Sequence, residues 1–221
     1  MEKSRVSIRV LLVDDHTIVR EGLRALLTAT EGIEVVGEAS DGREGLAEAQ
    51  RLSPDVVVMD AAMPGLNGID ATARILELVP TARVLLLSMH AGEEYVRPAI
   101  RAGASGYLVK GSGLSDLVAA IRAVAAGDAF VSPTIAKLLV QDARRSAGGD
   151  RARGAEELTL REREVLQLVA EGHSTQAIGQ LLHLSPKTVE GHRGRVMQKL
   201  GVANVAGLVR HAIRLGLVTE T

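Results

Sequence analysis

The stretch Pro54-Asp55-Val56-Val57-Val58-Met59-Asp60-Ala61-Ala62-Met63-Pro64-Gly65 decides the fold. Its apolar run, mostly β-branched, passes without a polar interruption into a carboxylate and then a Pro-Gly turn. So short a run with no polar alternation fits a strand buried on both faces, as in a parallel sheet. Similar runs recur on either side, at Val10–Val13, Val35–Val36, Val84–Leu87 and Tyr107–Val109. Between them lie segments of helical length. In the first, Ile18, Val19, Gly22, Leu23, Leu26 and Leu27 repeat at helical spacing, and the others occupy roughly 42–52, 68–78, 92–102 and 113–126. The alternation predicts (βα)5, an open doubly wound parallel sheet over residues 1–130.

After Phe130 the pattern stops. Ser132-Pro133 reads as an N-cap with proline at the first helical position, opening a short helix to about Val140. Residues 141–157 carry no large apolar side chain, so 131–157 is expected to be a linker, a short helix and then a flexible segment. From 158 to 221 the sequence reads as helices. Thr159 and Glu162 have capping-box spacing for a helix ending near Gly172. A second helix covers roughly 175–182, Ser185-Pro186 opens a third to about Leu200, and a fourth covers roughly 204–215. Four short helices with tight turns make a small bundle.

Composition narrows the possibilities. The chain has 221 residues, and no apolar run approaches the ~18–20 needed to span a bilayer. Residues 1–9 lack an apolar signal stretch, so a soluble cytoplasmic protein without a membrane partner is expected. There is no cysteine, hence no disulfide, thiol nucleophile or thiolate-bound zinc. The only aromatics are Tyr95, Tyr107 and Phe130, which argues against base stacking on aromatic platforms. Residues 1–130 hold 13 basic and 18 acidic side chains, whereas 131–221 hold 13 and 9. The basic half is the one suited to nucleic acid.

Ligand sites in open parallel sheets lie beyond the carboxyl ends of the strands. Asp14 and Asp15 follow the first expected strand, Asp60 the third, Ser88 the fourth and Lys110 the fifth. Three carboxylates, a hydroxyl and an ammonium therefore converge on one rim. Clustered carboxylates call for a cation, and all-oxygen ligation favours a hard ion such as Mg2+. Asp60 is then placed to act as a carboxylate nucleophile and form an aspartyl phosphate, with Lys110 and Ser88 neutralising phosphoryl oxygens. Each residue alone also fits a plainer role: Asp14-Asp15 a helix cap, Asp60 a turn carboxylate, Lys110 a solvated lysine, Ser88 a strand-end hydroxyl. All of them on one rim favour the chemical reading.

Residues 8–128 resemble the receiver domain of two-component response regulators, a flavodoxin-like fold. The matching motifs are Val13-Asp14-Asp15-His16, Val58 to Gly65, Leu85 to Ser88 and Gly106-Tyr107-Leu108-Val109-Lys110. The resemblance implies that Asp60 takes a phosphoryl group from the phosphohistidine of a sensor histidine kinase. It also implies that Asp15, Asp60 and the Ala62 carbonyl bind Mg2+, with Asp14 acting through water. Ser88 and Tyr107 would be the switch pair and Lys110 the phosphate-pairing cation. Gly111 follows the lysine where many receivers have proline.

Residues 158–218 resemble the LuxR-type helix-turn-helix domain of the NarL/FixJ response regulators. The resemblance rests on Leu158 to Leu166, Ala170 to Ser174, Ser185 to His192 and Met197 to Val202. Independently, the spacing of Val189, Val196 and Leu200 turns them toward the bundle. The opposite arc carries Lys187, Gly191, Gly194 and Gln198, flanked by Thr188, Glu190 and Arg195, a face able to enter a major groove. Lys187, Thr188, His192, Arg193 and Arg195 are candidates for phosphate or base contacts, and Ser174 and Thr175 for a phosphate at the second helix's N-terminus. His192 also fits a packed histidine, and the charged face also fits simple solvation. Gly191 and Gly194 offer no side chain to read base edges, which shifts specificity toward flanking contacts and DNA shape. Gly179 is expected to serve close helix packing.

Together these readings describe a phosphorylation-switched transcription regulator that binds double-stranded DNA as a homodimer, with half-sites about one helical turn apart. Leu208, Val209, Ala212 and Ile213 of the last helix offer apolar surface for dimerisation, or bundle core. An Asp-nucleophile phosphatase is the enzyme alternative, but it wants a general acid near Asp60, and Ala62 cannot serve. A helical module that binds a protein instead of DNA is the third reading.

Overall fold

The apolar runs form strands, and every strand pairing is parallel. The structure is a computed structural model that describes residues 7–132, 135–137 and 158–218. The chain divides into two units, Met1–Asp142 and Ala143–Thr221, each with its own apolar core.

In the first unit the elements alternate as β1 (Ile8–Val13), α1 (Thr17–Thr28), β2 (Ile33–Ala39), α2 (Gly42–Leu52), β3 (Val56–Asp60), α3 (Gly68–Leu78), β4 (Arg83–Ser88), α4 (Glu93–Arg101), β5 (Gly106–Val109) and α5 (Leu114–Ala126). The sheet order is β2-β1-β3-β4-β5-β6. A sixth strand, β6 (Phe130–Val131), is added at the edge to the five expected. It is a two-residue extension created by pairing with β5 at Gly106 and Tyr107, too short to leave a periodic signal. Ile135 is fully buried against the same core, so the receiver-like unit takes in the start of the segment assigned above to the linker. Of the expected short helix only Ile135, Ala136 and Lys137 are described, and they are helical; its remainder and the flexible segment 141–157 lie outside the described residues.

Strand side chains alternate between two cores. Leu11, Val13, Val57, Met59, Val84 and Leu86 face one, closed by residues of α2, α3 and α4 such as Ala49, Ile75 and Val96. Val10, Leu12, Val56, Val58, Leu85 and Leu87 face the other, closed by Leu27 of α1 and by Leu117, Ile121 and Val124 of α5. Strand order reverses between β1 and β3, which opens the crevice where ligands bind in such sheets. α3 starts tight against β3, because a Cβ on Gly68 would lie 1.9 Å from the Asp60 carbonyl oxygen.

The second unit holds α6 (Leu160–Ala170), α7 (Thr175–Leu182), α8 (Pro186–Leu200) and α9 (Val205–Arg214). The expected capping box is present: the Thr159 side chain accepts from the Glu162 amide, and the Glu162 side chain accepts from the Thr159 amide. Ser174, Ser185 and Asn204 cap the other three helices through their side chains. The core joins Val165, Leu166, Leu168, Ile178, Leu182, Val189, Val196 and Leu208. Gly179 serves close packing as expected, since a Cβ there would lie 2.8 Å from the Leu184 carbonyl oxygen. Leu208 and Ala212 are fully buried in this core, so of the two roles open to them the bundle core is the one the fold gives; Val209 and Ile213 stay half-buried and Val205 is exposed.

Candidate functional site

Strand register assembles the rim. Val13 pairs with Met59, Asp60 with Leu87, and Ser88 with Val109. Asp14, Asp60, Ser88 and Lys110 therefore sit at or just beyond adjacent strand ends. Asp14, Asp60 and Ser88 are buried, and Asp15 is half-buried. Lys110 Nζ lies 2.9 Å from Asp14 Oδ2 and 2.8 Å from Asp60 Oδ2, so one ammonium bridges both buried carboxylates. The second oxygen of Asp14 accepts from the His16 amide at 2.9 Å, and Asp60 Oδ1 accepts from the Ala62 amide at 3.3 Å. Burial raises Asp60 above the ordinary carboxylate range; Lys110 pulls it down, and the Asp14 charge adds to the rise. Burial also disfavours the Lys110 ammonium, but its bonds to Asp60 and Asp14 prevail and lift it above the ordinary lysine value.

Ser88 and Tyr107 meet at a residue that sequence reading missed. The His90 amide donates to Ser88 Oγ at 3.1 Å, and the Tyr107 hydroxyl donates to the His90 carbonyl at 2.8 Å. The His90 ring stacks on Tyr95 of α4, with centroids 4.3 Å apart. No sequence signal marks His90 beyond its position two residues after Ser88. His16 was visible in the Val-Asp-Asp-His motif but carried no assigned role. Its Nδ1 lies 3.0 Å from Asp15 Oδ1 and 3.5 Å from Asp14 Oδ1.

The rim fits a divalent cation. One donor atom each from Asp14, Asp15, His16 and Asp60 lie within 4.8 Å of one another. Asp15 Oδ1 is buried and accepts no hydrogen bond, which leaves it an acceptor suited to an ion.

On α8 of the second unit, Lys187, Thr188, Glu190, Gly191, Gly194, Arg195 and Gln198 are exposed, as the helical arc predicts. A Cβ on Gly191 or Gly194 would meet nothing within 4 Å. Arg193 is half-buried. So is His192, whose Nδ1 is buried without a hydrogen-bond partner. Burial, reinforced by Arg195 and Arg161, holds His192 below the ordinary histidine value, so it is neutral at pH 7. Ser174 is exposed at the start of α7, and Thr175 beside it is half-buried.

The receiver domain of response regulators matches residues 10–122, and the luxR family of bacterial regulatory proteins matches residues 156–212. The transcriptional regulatory protein LiaR of Bacillus subtilis is 41% identical over 211 residues, covering 96% of this chain and 99% of that protein. The response regulator GacA of Pseudomonas aeruginosa is 38% identical, covering 96% and 98%. Among solved structures, a LuxR-family two-component response regulator from Aurantimonas is 43% identical with a TM-score of 0.59, covering 62% of this chain and 97% of that one. The two-component response regulator RcsB in complex with DNA is 27% identical with a TM-score of 0.58, covering 95% and 99%. A receiver followed by a luxR-type bundle defines a two-component response regulator that acts as a DNA-binding transcription regulator, not an enzyme in the ordinary sense. Within that class the chain belongs to the NarL/LuxR family of response regulators. Among the described residues, no helix is long and apolar enough to cross a membrane.

Proposed function

We propose that Asp60 accepts a phosphoryl group from the phosphohistidine of a sensor histidine kinase, and that the modified receiver promotes a homodimer that binds double-stranded DNA in the cytoplasm. The observation that carries the proposal is the Lys110 ammonium held 2.8 Å from a buried Asp60 at the sheet's switch point. An Asp60 oxygen forms the new P–O bond as the P–N bond of the phosphohistidine breaks. Lys110 then pairs with the phosphoryl oxygens, and the Ser88 hydroxyl turns to them and releases the His90 amide. Tyr107 follows through its bond to His90. Asp15, Asp60 and the Ala62 carbonyl are the residues to hold Mg2+, with Asp14 acting through water, and that ion supplies charge neutralisation to the rim and the transferring group.

In the second unit, Lys187, Thr188, Glu190, Arg193, Arg195 and Gln198 are to contact the duplex, with Ser174 and Thr175 on a flanking phosphate and Gly191 and Gly194 letting α8 come close. His192, neutral and half-buried, is to position α8 and not to pair with phosphate. The stripe of exposed Val205 and half-buried Val209 and Ile213 is the apolar surface of α9 left for a partner copy. That RcsB was solved as dimers on DNA supports binding of DNA as a dimer.

Intact mass after incubation with Mg2+ and a small phosphodonor tests the acceptor. A gain of one phosphoryl group in the wild type, absent in Asp60→Asn, is expected. No gain in the wild type, or the same gain in both, overturns the assignment.

A further inference from the structure

We propose that Glu190 reads a cytosine: its carboxylate accepts from the N4 amino group of that base in the major groove and fixes a C·G pair at one position of each half-site. The inference rests on the binding of double-stranded DNA through α8 proposed above and concerns which base that helix selects.

Glu190 is the one acidic residue of α8, on a helix whose exposed basic residues, Lys187 and Arg195, suit a polyanion. The other acidic side chains among the described residues of this unit have partners within it. Glu162 accepts from the Thr159 amide and pairs with Lys199, Glu164 pairs with Arg161, and Glu171 accepts from the Gln167 side chain. Glu190 is exposed and forms no hydrogen bond or ion pair among the described residues, Lys187 one turn before it included. The helix dipole does not account for it either, because it lies beyond the first turn of α8, where that field has fallen off. Its neighbours Gly191 and Gly194 carry no side chain, and a Cβ on either would meet nothing within 4 Å. The helix surface beside the carboxylate is therefore bare backbone, open to close approach of a base edge.

A carboxylate accepts hydrogen bonds and donates none, and the phosphates of DNA repel it. On a helix laid in the major groove its partner must be a donor on a base edge, which is cytosine N4 or adenine N6. Adenine sets the N7 acceptor beside its amino group, and that lone pair repels the second carboxylate oxygen. Cytosine sets a C–H there instead. Guanine O6 and N7 and thymine O4 are acceptors and repel the carboxylate outright. Cytosine is thus the base that Glu190 favours over the other three. Its place in the first half of α8 agrees, since the N-terminal residues of a recognition helix are those that meet base edges.

The test uses the full chain, with and without Mg2+ and a small phosphodonor, and randomised DNA duplexes as the probe. On selection and sequencing, the wild type is expected to fix cytosine at one position of each half-site. Glu190→Ala is expected to lose about tenfold of the preference there and at no other position, with the salt dependence of binding unchanged because no phosphate contact is removed. Glu190→Gln is expected to exchange cytosine for adenine, whose N6 and N7 pair with an amide. Identical preferences in the wild type and Glu190→Ala overturn the inference and leave duplex binding through α8 standing. So does a loss spread evenly over all positions, or a wild-type preference for another base at the position that Glu190→Ala relaxes. A wild type that binds duplex without selecting any sequence overturns it as well. No binding of duplex by the wild type overturns both this inference and the proposed placement of α8 on DNA.

Discussion

Replacing Gly191 and Gly194 by Ala is expected to stabilise the helical unit. Both lie within α8, neither has positive φ, and an added Cβ at either meets nothing within 4 Å. The methyl group thus adds no clash and loses no contact; the Arg195 bond to the Gly191 carbonyl involves backbone and persists. Alanine is favoured over glycine inside a helix by about 0.8–1 kcal/mol, so each substitution adds roughly that much. In a domain of this size each should raise the unfolding transition by about 4–8 °C. Far-UV circular dichroism of the full chain measures the transition, and hydrogen exchange at α8 amides assigns it to this unit. Gly179→Ala is the contrast: its Cβ would lie 2.8 Å from the Leu184 carbonyl, and overpacking should lower stability by about 1–3 kcal/mol. No rise in the α8 variants would refute the reasoning from open space. DNA selection is a separate readout. If flanking contacts and DNA shape set specificity, Gly194→Ala leaves the preferred sequence unchanged, and a tenfold loss at one defined base pair sinks that idea.

Lys110→Met should destabilise the first unit by about 3 kcal/mol in chelator, because it strands two carboxylates that share one ammonium. The contribution of Lys110 is present at neutral pH and fades as pH rises through its raised value; urea unfolding checks both, and an unchanged midpoint would refute the pairing. Glu162→Gln should cost the second unit about 1–2 kcal/mol at pH 7, through the cap at Thr159 and the 2.9 Å pair with Lys199. Burial opposes the Glu162 charge, but its hydrogen bonds prevail and lower its pKa, so the wild type's advantage must shrink as pH falls below the unfolded carboxylate value; a constant gap would refute this. Lys187→Ala should reduce the salt dependence of duplex binding by about one unit of slope, while His192→Gln leaves the slope unchanged. Equal slopes for the two variants would overturn the assignment of a neutral, packed His192.

The strands at the sheet centre were legible because burial on both faces leaves short apolar runs with no polar alternation. β2 was legible only at Val35 and Val36, since it is an edge strand whose Glu34 and Glu38 face outward or half-outward. β6 was not, because two residues become a strand only through pairing with β5. The rim was legible for a topological reason: an alternating pattern brings residues at strand ends together whatever their separation. The clasp on His90 depends on where one loop carbonyl points, and no spacing rule encodes that. On α9, Leu208 and Ala212 lie one stripe away from Val209 and Ile213, and periodicity alone cannot say which stripe meets the domain's own core.

The clasp bounds what the proposed switch can do. Ser88 and Tyr107 each hold His90 by a bond between neutral groups, worth about 0.5–1.5 kcal/mol net. The stacked pair of His90 and Tyr95 adds about 0.5–1.5 kcal/mol. Moving a population from 1:99 to 99:1 takes about 5.5 kcal/mol. Exchanging the clasp alone falls short of that, even with the stack included. The remainder must come from the charge added at Asp60, through the charge-assisted bond gained by Ser88, worth about 1.5–3 kcal/mol, and through the second negative charge brought to the Lys110 ammonium that Asp60 already holds at 2.8 Å. The driving free energy therefore sits at the rim, and His90 transmits it to α4: weakening the stack should blunt the response of α4 without preventing phosphorylation, whereas removing Lys110 should remove the response at its source.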